Sequence, residues 1–294
     1  MNKVCLEVAL NGPWSRNLQP GMPISTEDLI AEGIACARLG AAVIHLHVYD
    51  PVTERQSDDF ELYRAVIEGI RGKEDVIVYP TLPLSGSVDA PEPMTPEKRF
   101  EAVRKLAEAG LIEWSVIDPG STTFASYADI AADKPGFLYS NPEADVRYGL
   151  SLASTHGFHP SYAIYEPGFA RLGAALASRY PGIPKPIYRF MFSDGFAFGY
   201  PPRGYALESY IQLMEELDAE APWMIGGLQV NILPLIPEAA RRGGHIRVGL
   251  EDAPFGSEWR NMEWAEAALE KIAETGAEVA DANDVRALLS SAPN

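Results

Sequence analysis

Short apolar runs alternate with longer amphipathic segments along the whole chain. The apolar runs are rich in β-branched and aromatic residues, which is typical of buried strands, and the segments between them show helical spacing. We predict eight strands, at Val4–Leu10, Val43–Val48, Val76–Tyr79, Trp114–Ile117, Ser161–Tyr165, Ile187–Phe192, Trp223–Leu228 and His245–Leu250. Helix starts follow the rules for capping, as at Ser25-Thr26-Glu27-Asp28, and Gly40 stands where the first helix should end.

Eight strand-then-helix units in 294 residues predict an α/β protein of the (β/α)₈ TIM-barrel class. No Gly-x-Gly-x-x-Gly follows the first strand, which disfavours a doubly wound open sheet. We expect a single domain over residues 1–294, with residues 281–294 as a C-terminal helical extension. Residues 118–140 and 193–205 are predicted to be long loops at the functional end of the barrel.

Composition narrows the range of partners. A formal net charge of −17 argues against nucleic acid and anionic membrane surfaces, both of which require basic faces. No apolar run is long enough to span a bilayer, and Glu7 interrupts the first one, which is not typical of a signal peptide. Cys5 and Cys36 are far apart and indicate reduced thiols of a cytoplasmic protein.

Two histidines lie two residues apart in one of the predicted strands, Ile44-His45-Leu46-His47-Val48. Alternate residues of a strand face the same side, so both imidazoles are expected to point one way. Such a pair forms half of a metal site, and Zn²⁺ is its usual occupant. The alternative is a pair of histidines hydrogen-bonded in the core.

The eighth predicted strand offers a third ligand. It ends in Gly-Gly-His-Ile-Arg-Val-Gly-Leu-Glu-Asp over residues 243–252, and alternation places Arg247, Gly249 and Glu251 on one face. Gly249 would keep the space between the two long side chains open. Strands 8, 1 and 2 are consecutive in a closed barrel, so we expect Glu251 near both histidines. Two histidines and one carboxylate are typical of a catalytic zinc site. The alternative is that Arg247, Glu251 and Asp252 form an ordinary solvated charge cluster, which is disfavoured because these charges end an apolar strand, where burial without partners is costly.

Together these two motifs resemble the β-keto acid cleavage enzymes, the family typified by 3-keto-5-aminohexanoate cleavage enzyme. The similarity extends from Leu10-Asn11-Gly12 to the eighth strand. It implies a zinc-containing TIM barrel, commonly a homotetramer, that reacts a β-keto acid with acetyl-CoA to give acetoacetate and a new acyl-CoA.

The resemblance also implies roles for individual residues. By position, His45, His47 and Glu251 match the metal ligands, for Zn²⁺ or another divalent transition metal. Asp252 matches the catalytic base, and Arg247 matches the guanidinium that orients it. The metal would stabilise the enolate formed when the carbon between the keto and carboxylate groups loses a proton, and acetyl-CoA would enter as a co-substrate.

The positions that bind substrate depart from the family pattern. The prototype has a glutamate after the first strand that suits an amino-bearing substrate, and this chain has Pro13-Trp14 there. Later serine, threonine and glutamate positions of the prototype fall at Pro80, Val116 and Ala163. We therefore expect a substrate without an amino group. The residues expected to bind it are Asn11, Trp14, Thr81 and Ser85.

An aromatic loop, Phe196-Ala197-Phe198-Gly199-Tyr200-Pro201-Pro202-Arg203, follows the sixth strand. One interpretation is that it covers the site or stacks on the adenine of CoA, with Arg203 near a phosphate. The alternative, which exposed aromatic residues favour, is packing against another subunit.

Two other functions compete with the family reaction. An amidohydrolase-like metal hydrolase also places His-x-His in a barrel, but it needs further histidines at later strand ends. His156, His159 and His245 instead fall at strand starts. A barrel that binds metal and ligand without turnover is the second alternative. The pairing of Arg247 with Asp252 speaks against it, because a pure binding site needs no positioned base.

Overall fold

A computed structural model describes residues 3–83, 94–218 and 220–290 of the chain. Eight parallel strands form its central sheet, and we number them in chain order. They are β1 (Lys3–Ala9), β2 (Val43–Leu46), β3 (Ile77–Pro80), β4 (Trp114–Val116), β5 (His159–Ile164), β6 (Ile187–Phe192), β7 (Trp223–Gly227) and β8 (His245–Val248). All eight predicted strands are therefore confirmed, and no end differs from its predicted position by more than two residues.

The sheet closes on itself almost completely. Its order is β3-β2-β1-β8-β7-β6-β5-β4, and every ladder is parallel. The two end strands, β3 and β4, pack side by side, and no ladder joins them within the described ranges. This is the nearly closed parallel barrel expected for a (β/α)₈ protein.

Helices follow the strands and cover the outside of the barrel. They span Thr26–Leu39, Phe60–Arg71, Pro96–Arg99, Glu101–Glu108, Glu143–His156, Pro167–Ala177, Gly204–Leu217, Ile236–Arg241 and Asn261–Ala273, with a 3₁₀ turn at Leu233–Leu235. The expected caps form at the first helix, where the Ser25 hydroxyl accepts from the amide of Asp28. Among the described residues, no helix is both long and apolar enough to cross a membrane.

Additional elements lie after the strands and at the C-terminus. Residues 118–140 were predicted to be a loop, but they contain a hairpin, Thr122–Phe124 with Phe137–Tyr139, and a short helix, Tyr127–Ala131. The predicted C-terminal extension is present as the helix Ala282–Ser290, preceded by a short strand, Glu278–Ala280, that pairs with β1.

His245 begins β8 at the end of the barrel opposite the predicted site. Its side chain is buried, and its Nδ1 accepts a hydrogen bond from the amide of Cys5 at 3.1 Å. Burial lowers the pKa of His245 from its ordinary 6.5 to about 4, because no acidic partner offsets the cost of desolvating the imidazolium. The folded chain therefore keeps this imidazole neutral.

This neutral histidine predicts a pH dependence of stability. Between pH 6.5 and pH 4 the unfolded chain binds a proton at His245 that the folded chain does not, so stability falls as pH falls. The full loss is about 3 kcal/mol. In His245→Asn the amide oxygen still accepts from Cys5, so this part of the pH dependence should disappear. Denaturant titrations at pH 7 and pH 4 measure it, with the exposed His156→Asn as control. If the free energy of unfolding falls by the same amount from pH 7 to pH 4 in wild type and in His245→Asn, the assignment is wrong.

Candidate active site and metal centre

Three buried side chains, His45, His47 and Glu251, converge at the carboxyl ends of β2 and β8. Oε2 of Glu251 lies 3.4 Å from Nε2 of His45, and Oε1 lies 3.4 Å from Nε2 of His47. Two ligand atoms that each lie about 2.1 Å from a tetrahedral Zn²⁺ are themselves about 3.4 Å apart. The spacing of the three side chains therefore fits one shared metal ion.

The surroundings of the histidines also fit a metal. Nδ1 of His47 lies 3.0 Å from Oε1 of Gln56, an acceptor that fixes the proton on Nδ1 and leaves the Nε2 lone pair free. Among the described residues, Nε2 of His47 has no hydrogen-bond partner although it is buried. Burial lowers the pKa of His45, which favours the neutral, ligating form of the ring. A buried nitrogen with a free lone pair beside a carboxylate suits a metal ion.

Glu251 reaches the histidines from a turn, which corrects the reasoning from strand alternation. β8 ends at Val248, and residues 249–252 form a turn closed by a hydrogen bond from the amide of Asp252 to the carbonyl of Gly249. Gly249 has φ of 135°, and a Cβ there would lie 2.1 Å from the carbonyl oxygen of Ala9. The glycine is thus required by the backbone and its contact with β1, not by the space between two side chains.

The loop after β1 holds Glu251 from the other side. Nε1 of Trp14 donates to the carbonyl oxygen of Glu251 at 2.8 Å, and the Tyr49 hydroxyl donates to the carbonyl of Gly12. A Cβ at Gly12 would lie 2.7 Å from Cγ of Glu251, so a larger residue would displace the carboxylate. Residues that follow β1 and β2 therefore fix the third candidate ligand.

Asp252 is held by Arg247 in a two-pronged ion pair. Nη2 of Arg247 lies 2.8 Å from Oδ1, and Nε lies 3.0 Å from Oδ2, which also accepts from the amide of Gly227 at 3.2 Å. Burial raises the pKa of Asp252, and the neighbouring guanidinium opposes that shift. This balance leaves Asp252 able to accept a proton more readily than an exposed aspartate.

Arg247 contacts two further carboxylates. Its Nη2 lies 2.9 Å from Oε2 of Glu251, and its Nη1 donates to Oε1 of Glu7 at 3.0 Å. Burial opposes ionisation of Glu251, yet the Arg247 guanidinium holds the pKa of that carboxyl well below its ordinary value. One buried guanidinium thus connects the candidate base, the candidate metal ligand and the first strand.

A small cavity opens in front of the triad. Its volume is about 40 Å³. It is lined by Pro13, Trp14, His45, His47, Thr81, Val116, Asp118, Phe124, Tyr139, Tyr165, Arg189, Leu228, Arg247 and Glu251. Most ligand pockets enclose about 300–1,000 Å³, so this cavity is much smaller than a typical ligand pocket.

Aromatic side chains cover the cavity. Phe196 and Phe198 of the aromatic loop are buried within the chain and pack on Phe124 of the hairpin. Trp14 lies between Phe196 and Phe255, with ring centroids 6.3 and 5.0 Å away. The loop therefore packs on Trp14 and Phe124, two residues that line the cavity, and its two phenylalanines are not the exposed surface that subunit packing would use.

The residues expected to bind substrate have different environments. Trp14 and Thr81 line the cavity. The Asn11 amide instead bonds to backbone, since it donates to the carbonyls of Pro23 and His47 and accepts from the amide of His47. Arg203 is exposed and lies 3.3 Å from Asp194. Ser85 lies outside the described residues.

Four buried polar residues near the site were missed by the sequence reasoning. They are Glu7, Tyr79, Asp118 and Arg189. Glu7 and Arg189 each interrupt an apolar strand, and such a charge on an inward-facing position is the signal that could have identified them. Tyr79 and Asp118 carried no comparable signal, since the first looks like a core residue and the second like a loop residue.

The remaining histidines do not extend the metal centre. His159 and His245 are the first residues of β5 and β8, and His156 ends a helix before β5. Within the described ranges, His45, His47 and Glu251 form the one cluster suited to a metal. The additional histidine ligands that an amidohydrolase-like site requires are therefore not found among the described residues.

Comparison with known proteins places this chain in a family. The family described as BKACE, beta-keto acid cleavage enzyme, matches residues 3–290. The chain is 26% identical to a 3-keto-5-aminohexanoate cleavage enzyme of Fusobacterium nucleatum, over 99% of this chain and 98% of that protein. It is 24% identical to a 3-dehydrocarnitine:acetyl-CoA trimethylamine transferase of Rhizobium meliloti, over 90% and 88% of the two chains.

Solved structures support the fold. The binary complex of ObcA with oxaloacetate superposes with a TM-score of 0.67 at 18% identity, covering 92% of this chain and 67% of that one. A type I 3-dehydroquinate dehydratase of Clostridium difficile gives 0.55 at 10% identity, covering 93% and 94%. Because the family match covers nearly the whole chain, this protein belongs to the beta-keto acid cleavage enzyme family.

Proposed function

We propose that this enzyme reacts a β-keto acid with acetyl-CoA to give acetoacetate and a new acyl-CoA, using a divalent metal held by His45, His47 and Glu251. The observation that carries the proposal is the ligand triad directly beside the Arg247–Asp252 pair. Zn²⁺ is the metal that two imidazoles and one carboxylate suit best, and another divalent transition metal is the alternative.

A metal bound by this triad would act as a Lewis acid that polarises the keto oxygen and stabilises the enolate. Asp252 is the base that removes the proton from the carbon between the keto and carboxylate groups. Arg247 fixes both oxygens of Asp252 and so aims them. Trp14 keeps the adjoining Glu251 in place through its backbone carbonyl.

The atoms balance in a double exchange. The deprotonated carbon of the β-keto acid attacks the carbonyl of acetyl-CoA and expels the CoA thiolate. The thiolate then adds to the original keto carbon, and the bond between that carbon and the newly acetylated carbon breaks. The carbon released by this cleavage takes back the proton that Asp252 removed, so acetoacetate leaves, and CoA carries away the other acyl group. Relatives named for different keto acids share this use of acetyl-CoA, so their names do not determine the acyl group here.

Substrates need more space than the aromatic side chains around the cavity leave free. A cavity of about 40 Å³ cannot hold a β-keto acid and a thioester together. We therefore infer that the aromatic loop moves away from the hairpin during each turnover. Trp14 and Thr81 are the candidates for binding substrate in the cavity, with Asn11 and Ser85 as further candidates, and Arg203 remains a candidate for CoA phosphate.

Several broader properties belong to the same proposal. The unpaired, buried thiols of Cys5 and Cys36 support a cytoplasmic enzyme, and the resemblance to the family supports a homotetramer. The strong negative charge supports small-molecule partners and not nucleic acid or membranes. We also propose that residues 1–294 act as one domain.

The reaction itself is tested by incubating the purified enzyme, zinc and acetyl-CoA with a panel of β-keto acids that lack an amino group. The expected result is acetoacetate and one new acyl-CoA in equal amounts. Mass spectrometry of the CoA esters measures the new acyl-CoA. Hydrolysis of amides or lactones without any new acyl-CoA would favour the amidohydrolase-like alternative.

Metal binding provides an independent test. We expect about one zinc per chain by elemental analysis after dialysis, because the triad offers three ligands. His47→Ala should lose the metal, whereas His159→Ala, at the opposite end of the barrel, should retain it. Wild type without metal, or equal loss in both variants, would contradict the metal centre.

Asp252→Asn tests the base. The single amide oxygen can still accept from Nε of Arg247 and from the amide of Gly227, but the side chain cannot accept a proton, so kcat should fall about 10²–10⁴-fold while zinc content stays unchanged. A steady-state assay with elemental analysis of the same sample measures both. Activity within a few-fold of wild type would exclude Asp252 as the base.

A further inference from the structure

Arg189 is a buried cation on the floor of the cavity. It lies in the middle of β6, only 3% exposed, and its side chain crosses toward β3 and β5. Nη1 donates to the hydroxyl of Tyr79 at 2.9 Å and to the hydroxyl of Ser161 at 2.8 Å. Both partners are neutral, so these bonds orient the guanidinium without neutralising it.

The charge of Arg189 has no hydrogen-bonded counterion within the described part of the chain. Among the residues that the structure describes, Glu7 is the one carboxylate within 4.0 Å of this guanidinium, with Oε1 at 3.7 Å from Nη1. That oxygen already accepts from Arg247 and from Tyr79. Nε of Arg189 is buried and makes no hydrogen bond to any described residue. A buried guanidinium with an unused donor is costly unless an anion completes it.

Asp118 does not supply that anion directly. Its two oxygens accept from the hydroxyl of Tyr139 at 2.6 Å and from the amide of Ala163 at 2.8 Å. Neither contact involves Arg189, so Asp118 makes no hydrogen bond to that guanidinium among the described residues. The donors of Arg189 are therefore left for something that enters the cavity.

The position of Arg189 determines which part of a substrate it meets. β6 lies across the barrel from β2, which carries the two candidate histidine ligands, and both Arg189 and the histidines line the cavity. Although β6 lies opposite β2, the guanidinium itself reaches Tyr79 on β3, whose ring centroid lies 4.5 Å from that of His45. A β-keto acid whose keto and carboxylate oxygens lie at the triad would therefore place its acyl group over Arg189 on the floor of the cavity. The guanidinium lies close to the triad, because its partner Tyr79 packs on His45, and this short distance favours a short acyl group.

We propose that Arg189 is a specificity-determining residue that selects β-keto acids whose short acyl group ends in a carboxylate. The substrate class is then the short 3-oxo dicarboxylic acids. This inference rests on the proposed function, because it assumes that the keto acid binds at the triad. It also explains the departure of this chain from the aminated prototype substrate, since a buried guanidinium repels an ammonium group.

The reaction balances as before, with a carboxylate carried along unchanged. The bond between the keto carbon and the acetylated carbon breaks. CoA takes the acyl group that bears the second carboxylate, and acetoacetate leaves. From 3-oxoglutarate the acyl-CoA product would be malonyl-CoA. No oxidant, reductant or further reactant is needed.

Three substrates of similar length and different charge test the proposal. They are 3-oxoglutarate, 5-methyl-3-oxohexanoate, in which an isopropyl group replaces the distal carboxylate, and 5-amino-3-oxohexanoate. Formation of the matching acyl-CoA from acetyl-CoA is measured for each, which avoids error from spontaneous decarboxylation. For wild type we expect kcat/KM for 3-oxoglutarate to exceed kcat/KM for 5-methyl-3-oxohexanoate by about 100-fold or more. The value for 5-amino-3-oxohexanoate should be the lowest of the three.

Arg189→Met should remove this preference. We expect kcat/KM for 3-oxoglutarate to fall about 100-fold, with a change below about 10-fold for the neutral analogue, because the lost interaction concerns only the distal carboxylate. A merely structural role would lower both by the same factor. Arg189→Lys keeps the charge and should keep part of the preference. Ser161→Ala is the control, since it removes one anchor of Arg189 but not its charge.

The outcomes separate the two proposals. No acyl-CoA from any of the three substrates in wild type would contradict the proposed function itself. Turnover with the neutral or aminated acid preferred would leave the function standing and overturn the role of Arg189. Equal loss for the charged and neutral substrates in both Arg189→Met and Arg189→Lys would overturn it as well. If Arg189→Met does not fold, the wild-type preference and the lysine variant still decide.

Discussion

The buried guanidinium of Arg247 is the constraint on which the candidate site depends. It contacts three carboxylates, those of Glu7, Glu251 and Asp252, and is almost completely shielded from water. A buried charge of this kind is stable only with well-placed partners, and the partners in turn cannot move without leaving it unpaired. The same side chain therefore fixes the candidate base and the candidate metal ligand relative to each other.

The barrel makes this arrangement possible through register and turn geometry. β1 pairs with both β2 and β8, with Ala9 opposite His45 and Glu7 opposite Arg247. The turn after β8 then bends against β1 at Gly249 and brings Glu251 beside the histidines. A barrel interior is usually filled by branched apolar residues. Here part of it is a polar network, and that network lies directly under the cavity.

The sequence allowed much of the fold and part of the site to be predicted. Alternation of apolar and helical segments located all eight strands, and the His-x-His pair with the late Glu-Asp pair indicated the triad that the structure brings together. Strand alternation did not explain how Glu251 gets there, because β8 ends at Val248 and a turn carries the ligand. Local pattern rules do not extend past the end of an element.

The rest of the site depends on contacts between distant segments, which a pattern along the chain does not contain. The hairpin after β4 and the loop after β6 cover the cavity because their aromatic residues pack on one another. Arg189 faces the cavity because Tyr79 and Ser161, on two other strands, orient it. Asn11 was expected to bind substrate, but its amide bonds to the backbone beside His47, a contact that only the folded loop creates.

The most direct test of the metal-centred account is anomalous X-ray diffraction at the zinc absorption edge, on crystals of the enzyme loaded with zinc. The account predicts a single strong anomalous peak between His45, His47 and Glu251, with Asp252 still paired with Arg247 and not bound to the metal. A peak coordinated by Asp252, or no peak at the triad in zinc-loaded crystals, would contradict it.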